Sequence, residues 1–361
     1  MNENWPKVSI VTPTLNAASV LEFELQSIKE QDYPKDKIEI IVADGGSTDA
    51  TVTIAEKYGA RVVENPLKTG EAGKALGVYE STGDFLALVD SDNILPTKSW
   101  LREMIKPLLD HPDAVGSEPW KYTWRAEDSF VTRYCALIGM NDPFVHFLGN
   151  YDRYNLLTGK WTEVQHEEED MGNYLLVKLD NRGVPTIGAN GTVFRSEFLK
   201  KNLEGDYLFD IDIIARIIKK EGVVEFIKVK NGIIHTYCEA NIGKFARKQR
   251  RRAKDFFFHK FQAKDRDFNW ERRTSSEKVT QGVISLFFVS IKNNLGMAWF
   301  LFSCVTIIPL FVDSIRGYCR KRDIAWFFHP LACEITLWEY GWGTIIGIFK
   351  RGELSRKGWR Q

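Results

Sequence analysis

The sequence lacks several patterns that would point to particular classes of protein. Its five cysteines are scattered and odd in number, with no Cys-x-x-Cys or Cys/His metal spacing, which favours a reducing compartment over a disulfide framework. The 49 lysines and arginines balance 48 acids, so net charge identifies no partner. The N-terminus, "MNENWPKVSIV", has no apolar signal core, so secretion is not expected. The sequence also has no internal repeat and no low-complexity linker.

Short apolar runs alternate with amphipathic stretches from Val8 to about residue 90. The runs "VSIVTP", "IEIIVAD", "ARVVEN" and "DFLALVD" predict strands, and stretches such as "AASVLEFELQSIKEQ" predict helices between them. This alternation predicts an α/β fold with a doubly wound, mostly parallel sheet. Ligands bind such sheets beyond the carboxyl ends of the strands, where "TPTLN", "DGGSTD" and "DSD" fall.

The following region is less regular. "WLREMIKPLL" and "YLFDIDIIARIIKKEG" predict helices, while "VVEFIKVKNGIIHTY" predicts a hairpin that turns at Asn231 and Gly232. "HEEED", which contains Glu169 and Asp170, is interpreted as a solvated loop because it lies in a polar stretch without helical context. After about residue 280 the composition becomes strongly apolar and aromatic.

Two carboxylates, Asp90 and Asp92, end the apolar run "FLALV". Such residues can cap the turn that follows a strand. They can also hold a hard divalent cation, because Mg²⁺ takes one or two carboxylates together with substrate phosphates. The pattern alone leaves both interpretations open.

The order of these motifs resembles that of the nucleotide-sugar-dependent glycosyltransferases of family 2. The matching stretches, within about residues 7 to 255, are "VSIVTPTLN", "IIVADGGSTDAT", "GKALGVYESTGDFLALVDSDN", "GANGTVFR" and "FDIDIIARIIKKEG". The resemblance implies a GT-A fold over residues 1–243, with a nucleotide-binding half at about 1–100 and an acceptor half at about 101–243. A basic amphipathic connector is then expected at 244–280, and membrane-associated helices at 281–361.

The resemblance also implies roles for the residues around the strand ends. The nucleotide-binding residues would be Pro13, Thr14, Asn16, Asp44, Lys74 and Asp90. Asp92 would be a ligand of Mg²⁺ or Mn²⁺, and Asp90 would contact the ribose or a bound water. Gly45 stands where the family often has a second acid, which puts one contact with the nucleotide's base in doubt. A solvated helix face is the alternative for Lys74.

An inverting transfer needs a base that takes the proton of the acceptor hydroxyl. The family's Asp-x-Asp-Leu-x-x-Arg pattern corresponds here to Asp210, Asp212 and Arg216, so Asp210 is the implied base. Asp212 would contact the acceptor, although Asp212 and Arg216 can also form a simple ion pair, since they lie four residues apart on a helix.

Three further residues receive roles from the same resemblance. Asn190 and Gly191 of "GANGTVFR" would form the floor under the donor sugar, with a tight turn before a helix as the structural alternative. His235 would add a metal or phosphate contact, and a histidine satisfied only by hydrogen bonds is the alternative.

The run "KFARKQRRRAK" contains seven basic residues in eleven. A solvated helix face, a nucleic-acid patch and a contact with an anionic membrane all compete as explanations. Nothing nearby resembles a nucleic-acid module, so binding of a diphosphate or a lipid phosphate by Arg251 and Arg252 is favoured. Ala253 replaces the Trp of the Gln-x-x-Arg-Trp motif of processive members, which argues against a cellulose-type polymerase.

An uncharged run of 18 residues extends from Leu295 to Val312, just long enough for a membrane span. A single span would carry the following basic cluster outside, against the positive-inside tendency, and Pro309 would kink its end. Helices that lie in or dip into the cytoplasmic leaflet are therefore favoured. A true span, and a soluble tail packed on the protein or in an oligomer contact, remain alternatives.

The expected function is thus metal-dependent, inverting transfer of a sugar from a UDP- or GDP-sugar to an acceptor. A polyprenyl-linked acceptor at the cytoplasmic face of the cell membrane is favoured, in glycan or surface-polysaccharide assembly. Transfer to a soluble or peptide-linked glycan is the alternative within this class. A sugar-nucleotidyltransferase should have a Gly-rich phosphate loop after the first strand, and "TPTLN" is not one. A catalytically dead scaffold would not need Asp92 and Asp210.

Overall fold

The computed structural model describes residues 5–258 and 283–349. Residues 259–280 of the predicted connector, and residues 281–282 and 350–361 of the predicted C-terminal region, lie outside the described residues. The chain divides into two compact units. The first contains the described residues of Met1–Trp120, His166–Leu179 and Ile187–His235, and the second those of Lys121–Gln165, Asp180–Thr186 and Thr236–Gln361.

The described part of the chain forms ten strands and twelve α-helices. The strands are β1 (Val8–Thr14), β2 (Ile38–Asp44), β3 (Arg61–Glu64), β4 (Phe85–Leu88), β5 (Asn93–Ile94), β6 (Gly116–Thr123), β7 (Glu167–Asp170), β8 (Tyr174–Asp180), β9 (Thr192–Arg195) and β10 (Val223–His235). The helices are α1 (Ala18–Lys29), α2 (Thr51–Lys57), α3 (Gly70–Glu80), α4 (Trp100–Asp110), α5 (Phe130–Ile138), α6 (Pro143–Leu148), α7 (Ser196–Asn202), α8 (Asp210–Glu221), α9 (Ile242–Phe258), α10 (Val283–Thr306), α11 (Ile308–Arg320) and α12 (His329–Phe349).

The predicted alternation of strands and helices is confirmed up to β4. Strand β1 pairs in parallel with β2 and β4, and β2 pairs in parallel with β3. Helix α1 forms because Leu21, Leu25 and Ile28 recur at helical spacing, and all three side chains are fully buried. The Thr69 hydroxyl begins α3 by accepting a hydrogen bond from the backbone N–H of Ala72.

The sheet as a whole is mixed rather than mostly parallel. Its strand order is β3-β2-β1-β4-β9-β6-β10-β8-β7, with β5 paired to β10. Strand β9 runs antiparallel to both β4 and β6, β5 is antiparallel to β10, and β7 is antiparallel to β8. The prediction of a parallel sheet is therefore correct only for β1 to β4, where helices connect successive strands. The architecture remains an α/β fold with helices beside the sheet.

The predicted hairpin at Asn231 and Gly232 is wrong, because β10 continues through both residues. The Asn231 side chain donates to Glu103 Oε2 at 3.0 Å, and the Trp100 indole N–H donates to the Gly232 carbonyl at 2.8 Å. The strand is buried on both sides of these residues. Packing against α4 therefore overrides the local turn preference of the Asn-Gly pair.

The acidic stretch predicted as a loop is instead strand β7. All four residues from Glu167 to Asp170 are exposed, and the strand stands at the end of the sheet order. The prediction of solvation is thus correct and that of irregular structure is wrong. Four consecutive acids have no apolar alternation that would predict a strand, and the strand forms because it pairs with β8.

The second unit is helical. Its main core gathers aromatic and apolar side chains of α5, α9, α12 and the 3-10 helix Ile324–Phe328, among them Tyr134, Phe245 and Trp326. Two ion pairs join its elements: Arg133 Nε lies 3.1 Å from Asp323, and Arg250 Nε lies 2.5 Å from Glu339. Part of the predicted basic connector is therefore the ordered helix α9.

The apolar run 295–312 is divided between two helices. Ile307 has a left-handed backbone conformation (φ +60°), and α11 begins directly after it with Pro309 in its first turn. Leu295–Thr306 and Ile308–Arg320 meet at an angle of 96°. Among the described residues no single helix has the length and hydropathy needed to cross a membrane, and only this bent pair meets both criteria when taken together.

Candidate functional site

The carboxyl ends of β1, β2 and β4 bring the three predicted polar clusters to one edge of the sheet. Thr14 and Asp44 are direct neighbours in the parallel ladder of β1 and β2. Asp90 follows β4 by two residues, and β4 is the other neighbour of β1. The topology therefore places "TPTLN", "DGGSTD" and "DSD" on the same rim, as the alternation of strands and helices predicts.

Asp44 organises the loop that follows β2. Its carboxylate accepts hydrogen bonds from the Thr14 hydroxyl at 2.9 Å, from the Ser47 hydroxyl at 2.5 Å, and from the backbone N–H groups of Gly46 and Ser47 at 2.9 and 2.7 Å. Burial opposes ionisation, but these hydrogen bonds outweigh it and lower the pKa of Asp44 below its ordinary value. Asp44 therefore fixes the shape of the rim.

Asn16 joins the two loops of this rim. Its backbone N–H donates to the Ser47 hydroxyl at 2.8 Å, and its Oδ1 accepts from the Thr48 N–H at 2.8 Å. Asn16 has a φ of +50°, a conformation that asparagine tolerates better than most residues. Pro13 of the same predicted set lies against Gly73 of α3, where an added Cβ would stand 2.9 Å from the proline Cβ.

Lys74 lies between two of the predicted functional carboxylates. This side chain of α3 is buried, and its Nζ is 3.1 Å from Asp210 Oδ2 and 3.5 Å from Asp90 Oδ1. Burial opposes the positive charge, but Asp210, Asp90 and Glu71 outweigh it and raise the pKa of Lys74. The lysine is therefore a buried ammonium held by acids, and the alternative of a solvated helix face is wrong.

Asp210 is the first residue of α8, where the helix dipole favours a negative charge. Besides its contact with Lys74, its Oδ2 accepts a hydrogen bond from the Ala189 N–H at 2.9 Å. The side chain retains 19% exposure. Asp210 is thus oriented by two donors and still accessible to a solute.

Asp90 and Asp92 have different surroundings. Burial is the main cause that raises the pKa of Asp90; the charge of Lys74 opposes this effect and the charges of Asp92 and Asp210 add to it. Asp92 Oδ1 lies 3.2 Å from Nε2 of His235, which ends β10. The pair combines an oxygen and a nitrogen donor from two separate elements. The structure therefore brings together the two residues predicted as metal ligands.

In the described part of the chain, protein side chains alone do not form a metal centre. Within residues 5–258 and 283–349, no group of three or more His, Cys, Asp or Glu side chains is arranged to hold a metal ion. Asp92 and His235 nevertheless fit a cation whose remaining ligands come from phosphate oxygens and water, which is how Mg²⁺ is commonly bound. The donor set is consistent with a site completed by a substrate.

Asn190 and Gly191 lie in a tight turn, in which the Gly191 N–H donates to the Ala189 carbonyl at 2.9 Å. The predicted alternative of a turn is therefore correct, but strand β9 follows it instead of a helix. Asn190 Oδ1 accepts from Asn93 Nδ2 at 3.2 Å. Gly191 has a φ of +78°, and a Cβ there would lie 3.0 Å from Ile233 Cδ1 and 3.1 Å from the Trp100 ring. Gly191 is therefore required by the local structure, whatever its part in sugar binding.

The remaining predicted residues lie in less accessible or separate surroundings. Asp212 is 1% exposed in α8. Arg216 has Glu204 as an ion-pair partner at 3.3 Å. Arg251 and Arg252 belong to α9 in the second unit, where Arg251 is exposed and Arg252 donates to the Asn141 carbonyl at 2.8 Å. Their predicted roles toward sugar or acceptor stay predictions.

Two residues near the site were missed from the sequence. Asn93 is fully buried, and its Oδ1 accepts from the Asp90 N–H at 3.2 Å, so it orients the acidic loop. Glu24 is fully buried on α1 with its Oε1 hydrogen-bonded to the Thr12 hydroxyl at 2.5 Å. Burial is the main cause that raises the pKa of Glu24, and the charges of Asp90 and Asp92 add to it. The sequence signal for Glu24 was the presence of an acid on the otherwise apolar face of α1.

Comparison with known proteins agrees with this arrangement. Residues 9–132 match the family model "Glycosyl transferase family 2". Glycosyltransferase AglE of Haloferax volcanii is 30% identical over 147 residues, which are 39% of this chain and 48% of that protein. The poly(ribitol-phosphate) beta-N-acetylglucosaminyltransferase TarS of Staphylococcus aureus is 35% identical over 115 residues, 30% of this chain and 20% of that protein. The chain thus spans about half the length of the first relative and a fifth of the second.

A solved structure of similar fold covers most of the chain. It is the mannosyltransferase PcManGT from Pyrobaculum calidifontis in complex with GDP-Man and Mn²⁺, which matches with a TM-score of 0.53 and 16% identity over 96% of this chain and 88% of that one. This likeness establishes a shared GT-A-like α/β fold. The family match over residues 9–132 confirms the resemblance predicted from the motifs in that part of the chain.

Proposed function

We propose that this protein is an inverting glycosyltransferase that moves a sugar from a nucleoside-diphosphate donor to an acceptor hydroxyl or phosphate. The observation that carries the proposal is the cluster at the carboxyl ends of β1, β2 and β4, in which one buried lysine lies within 3.5 Å of two carboxylates. The Asp92–His235 pair belongs to the same unit of the chain. A buried cation, a candidate base and two candidate metal ligands thus belong to the same unit as the proposed nucleotide-binding residues.

In this reaction an oxygen of the acceptor attacks the anomeric carbon from the face opposite the leaving group. The new carbon–oxygen bond forms as the bond to the diphosphate breaks, and the diphosphate leaves with the electron pair. Asp210 takes the proton of an acceptor hydroxyl, since its carboxylate is oriented by Ala189 and Lys74 and remains partly exposed. A deprotonated acceptor phosphate needs no such proton transfer.

Lys74 has two roles in this scheme. Before the donor binds, its ammonium holds Asp210 and Asp90 in position. When the donor binds, the same ammonium is available to the negatively charged diphosphate, because a buried cation attracts a phosphate strongly. Engagement of the diphosphate would weaken the contact with Asp210 and leave the base available to the acceptor.

A divalent cation, Mg²⁺ or Mn²⁺, would be held by Asp92 and His235, with the diphosphate completing its ligands. When bound, it neutralises negative charge that develops on the leaving diphosphate. Asp90 and Asn93 act on the protein side by keeping the acidic loop in position. The neighbour of similar fold holds GDP-Man and Mn²⁺, which supports a nucleotide-sugar donor and this class of metal.

The second unit supports an acceptor that belongs to a membrane. Many large apolar side chains of α10, α11 and α12 are exposed, with Val305 80%, Ile308 71% and Trp338 75% exposed. An apolar surface of this kind, followed by the basic residues Arg316 and Arg320, suits insertion into one leaflet bearing anionic lipids. The proposed acceptor is therefore polyprenyl-linked, and the proposed location is the cytoplasmic face of the cell membrane.

The reaction is tested with a panel of UDP- and GDP-sugars, with membrane extract as the source of acceptors. Release of nucleoside diphosphate that requires Mg²⁺ or Mn²⁺ is expected for at least one donor. Asp92→Asn, which removes a proposed metal ligand, should lower this rate. Asp210→Asn should lower it about a hundredfold or more when the acceptor is a hydroxyl, the scale of a lost general base. Asp36→Asn, a change of an exposed aspartate in a short 3-10 helix, serves as the matched control and should leave the rate unchanged.

Undiminished turnover in Asp92→Asn, or no turnover with any donor of the panel, contradicts the mechanism. Undiminished turnover in Asp210→Asn alone contradicts the role of Asp210 as base for an acceptor hydroxyl and leaves only an acceptor phosphate. Acceptor class is decided by the product. Radiolabelled sugar that partitions into organic solvent identifies a lipid-linked product, whereas label that stays in the aqueous phase identifies a soluble or peptide-linked glycan.

A further inference from the structure

Asn93 lies where three parts of the candidate site meet. It directly follows the acidic loop that carries Asp90 and Asp92, it begins strand β5, and it is fully buried. Buried polar groups of a folded protein are normally paired, so an asparagine in such a place is held by specific partners. Its backbone and its side chain contact two further elements, and each of these carries a residue of the proposed reaction.

The backbone of Asn93 fixes the spacing of the two candidate metal ligands. Asn93 pairs with His235 in the antiparallel ladder of β5 and β10. Because Asp92 directly precedes Asn93, the ladder brings Asp92 beside His235, and Asp92 Oδ1 lies 3.2 Å from His235 Nε2. A hydrogen bond from the Asn93 N–H to the Asp90 carbonyl at 2.8 Å closes the acidic loop on this strand. Movement of Asn93 would therefore change the separation of the candidate metal ligands.

The side chain of Asn93 connects the acidic loop to the tight turn at 189–191. Its Oδ1 accepts from the Asp90 N–H at 3.2 Å, and its Nδ2 donates to Asn190 Oδ1 at 3.2 Å. A backbone N–H can only donate, so the amide oxygen of Asn93 must face Asp90 and the amide nitrogen must face Asn190. A single orientation of the amide thus satisfies both contacts.

The turn at 189–191 holds the candidate base. The Ala189 N–H donates to Asp210 Oδ2 at 2.9 Å. The turn is also tied to β4 by a backbone hydrogen bond of 3.0 Å to the last carbonyl of that strand. Asn190 directly follows Ala189, so the contact between Asn190 and Asn93 bears on the position of the N–H that orients the base. Asn93 is therefore linked to Asp210 by two hydrogen bonds and the peptide unit between them.

We propose that Asn93 is a positioning residue that couples the candidate metal ligands to the candidate base, a role that rests on the proposed function of both. When Asp92 and His235 hold a divalent cation, the acidic loop is fixed. The Asn93–Asn190 hydrogen bond carries this order to the turn that orients Asp210. Hydrogen-bonded chains of this kind are a physical route for coupling between two sites.

The coupling is tested on the full chain by hydrogen–deuterium exchange of peptides that cover 189–191, with and without Mn²⁺ in the presence of UDP or GDP. A nucleoside diphosphate is used because it lacks the donor sugar, which could contact the turn directly. In the wild-type protein, addition of Mn²⁺ should slow exchange in the turn. Asn190→Ala should abolish this response and leave the Mn²⁺ affinity unchanged, because it breaks the bridge and keeps the acidic loop.

Asn93→Ala removes both contacts of the amide. It should weaken Mn²⁺ binding about tenfold, measured by electron paramagnetic resonance with the same nucleotide, which is the scale of one lost buried hydrogen bond. The double variant Asn93→Ala/Asn190→Ala should exchange in the turn no faster than Asn93→Ala alone, because both changes break the same bridge. Asn173→Ala, a change of an exposed asparagine between β7 and β8 in the same unit, is the matched control and should leave every readout unchanged.

Turnover separates this coupling from the proposed function. With an active donor, the rate of Asn93→Ala should stay about tenfold low even at saturating Mn²⁺, because the turn that orients Asp210 is displaced. A residue that only oriented the acidic loop would be rescued by excess Mn²⁺. Absence of turnover with every donor contradicts the proposed transferase, whereas the exchange measurement still decides whether the coupling exists.

Four results overturn the proposal. They are no effect of Mn²⁺ on exchange of the wild-type turn, a wild-type exchange response in Asn190→Ala, wild-type Mn²⁺ affinity in Asn93→Ala, and full recovery of the Asn93→Ala rate by excess Mn²⁺. Thermal unfolding of each variant is measured beside these readouts. Asn190 is partly exposed, so Asn190→Ala should keep wild-type unfolding and tests the bridge even if Asn93→Ala is destabilised.

Discussion

Lys74 and Asp210 should be strongly coupled, and Lys74→Met is the change that reveals it. Methionine keeps most of the length of the side chain and removes the charge, so Asp210 and Asp90 lose a shared partner at 3.1 and 3.5 Å. At an effective dielectric constant of about 20, unit charges 3.1 Å apart attract by about 5 kcal/mol. Asp210 is 19% exposed, so water screens part of this attraction, and we expect a loss of about 2–3 kcal/mol in the free energy of unfolding.

The assay is a double-mutant cycle of Lys74→Met and Asp210→Asn, with the free energy of unfolding measured by urea denaturation and circular dichroism. The double variant should lose less stability than the sum of the single variants, with a coupling of about 1–2 kcal/mol, because each single change leaves the other charge unpaired. The matched cycle uses the exposed pair Lys57 and Glu22, whose atoms are 2.7 Å apart but solvated, and no measurable coupling is expected there. A Lys74–Asp210 coupling no larger than that of the exposed pair would refute the reasoning.

Three further predictions concern other parts of the chain. His329 is fully buried, and burial lowers its pKa to about 3. Because an unfolded histidine titrates near 6.5, the free energy of unfolding should fall as the pH drops below about 6.5, by about 1.4 kcal/mol at pH 5.5. Urea titrations at several pH values should show a flatter pH dependence for His329→Gln. Gly191→Ala should lower the free energy of unfolding by about 2–4 kcal/mol, because it combines a positive φ with close contacts, and an unchanged urea midpoint would contradict this. Val305→Asp should reduce flotation of the full chain with phosphatidylglycerol-containing vesicles. Leu109→Asp, which changes an exposed leucine on α4 of the first unit, should not reduce it. Equal flotation of both variants would count against the proposed membrane contact.

The sequence was most informative where local pattern and tertiary structure agree. Strands β1, β2 and β4 follow from their apolar runs because they are largely buried, and the helices between the strands follow from apolar periodicity. Strand β3, at the end of the sheet order, is only partly buried. The rim that holds Asp44 and Asp90 follows from the same topology. The strand–helix alternation is a local pattern, although the pairing that it builds is not local: Val8 of β1 pairs with Phe85 of β4.

Other features depended on contacts that a linear pattern does not contain. Lys74 and Asp210 are 136 residues apart, so their ion pair required the position of α8 against α3. Asn231 carries a strong turn preference that packing against α4 overrides. Glu24 interrupts an apolar helix face, which indicates an unusual environment but does not identify Thr12 as its partner. In each case the deciding contact is with a residue of a different helix or strand.

Strand β7 gives the sheet an open edge that is protected by charge instead of by a covering element. Its four consecutive acids are all exposed, and in the described sheet its only ladder partner is β8. Edge strands invite pairing between molecules, and a row of like charges prevents it by repulsion. Solubility of this protein should therefore depend on acidity and on ionic strength: protonation of the four carboxylates, or screening by concentrated salt, removes the repulsion and permits two molecules to extend one sheet.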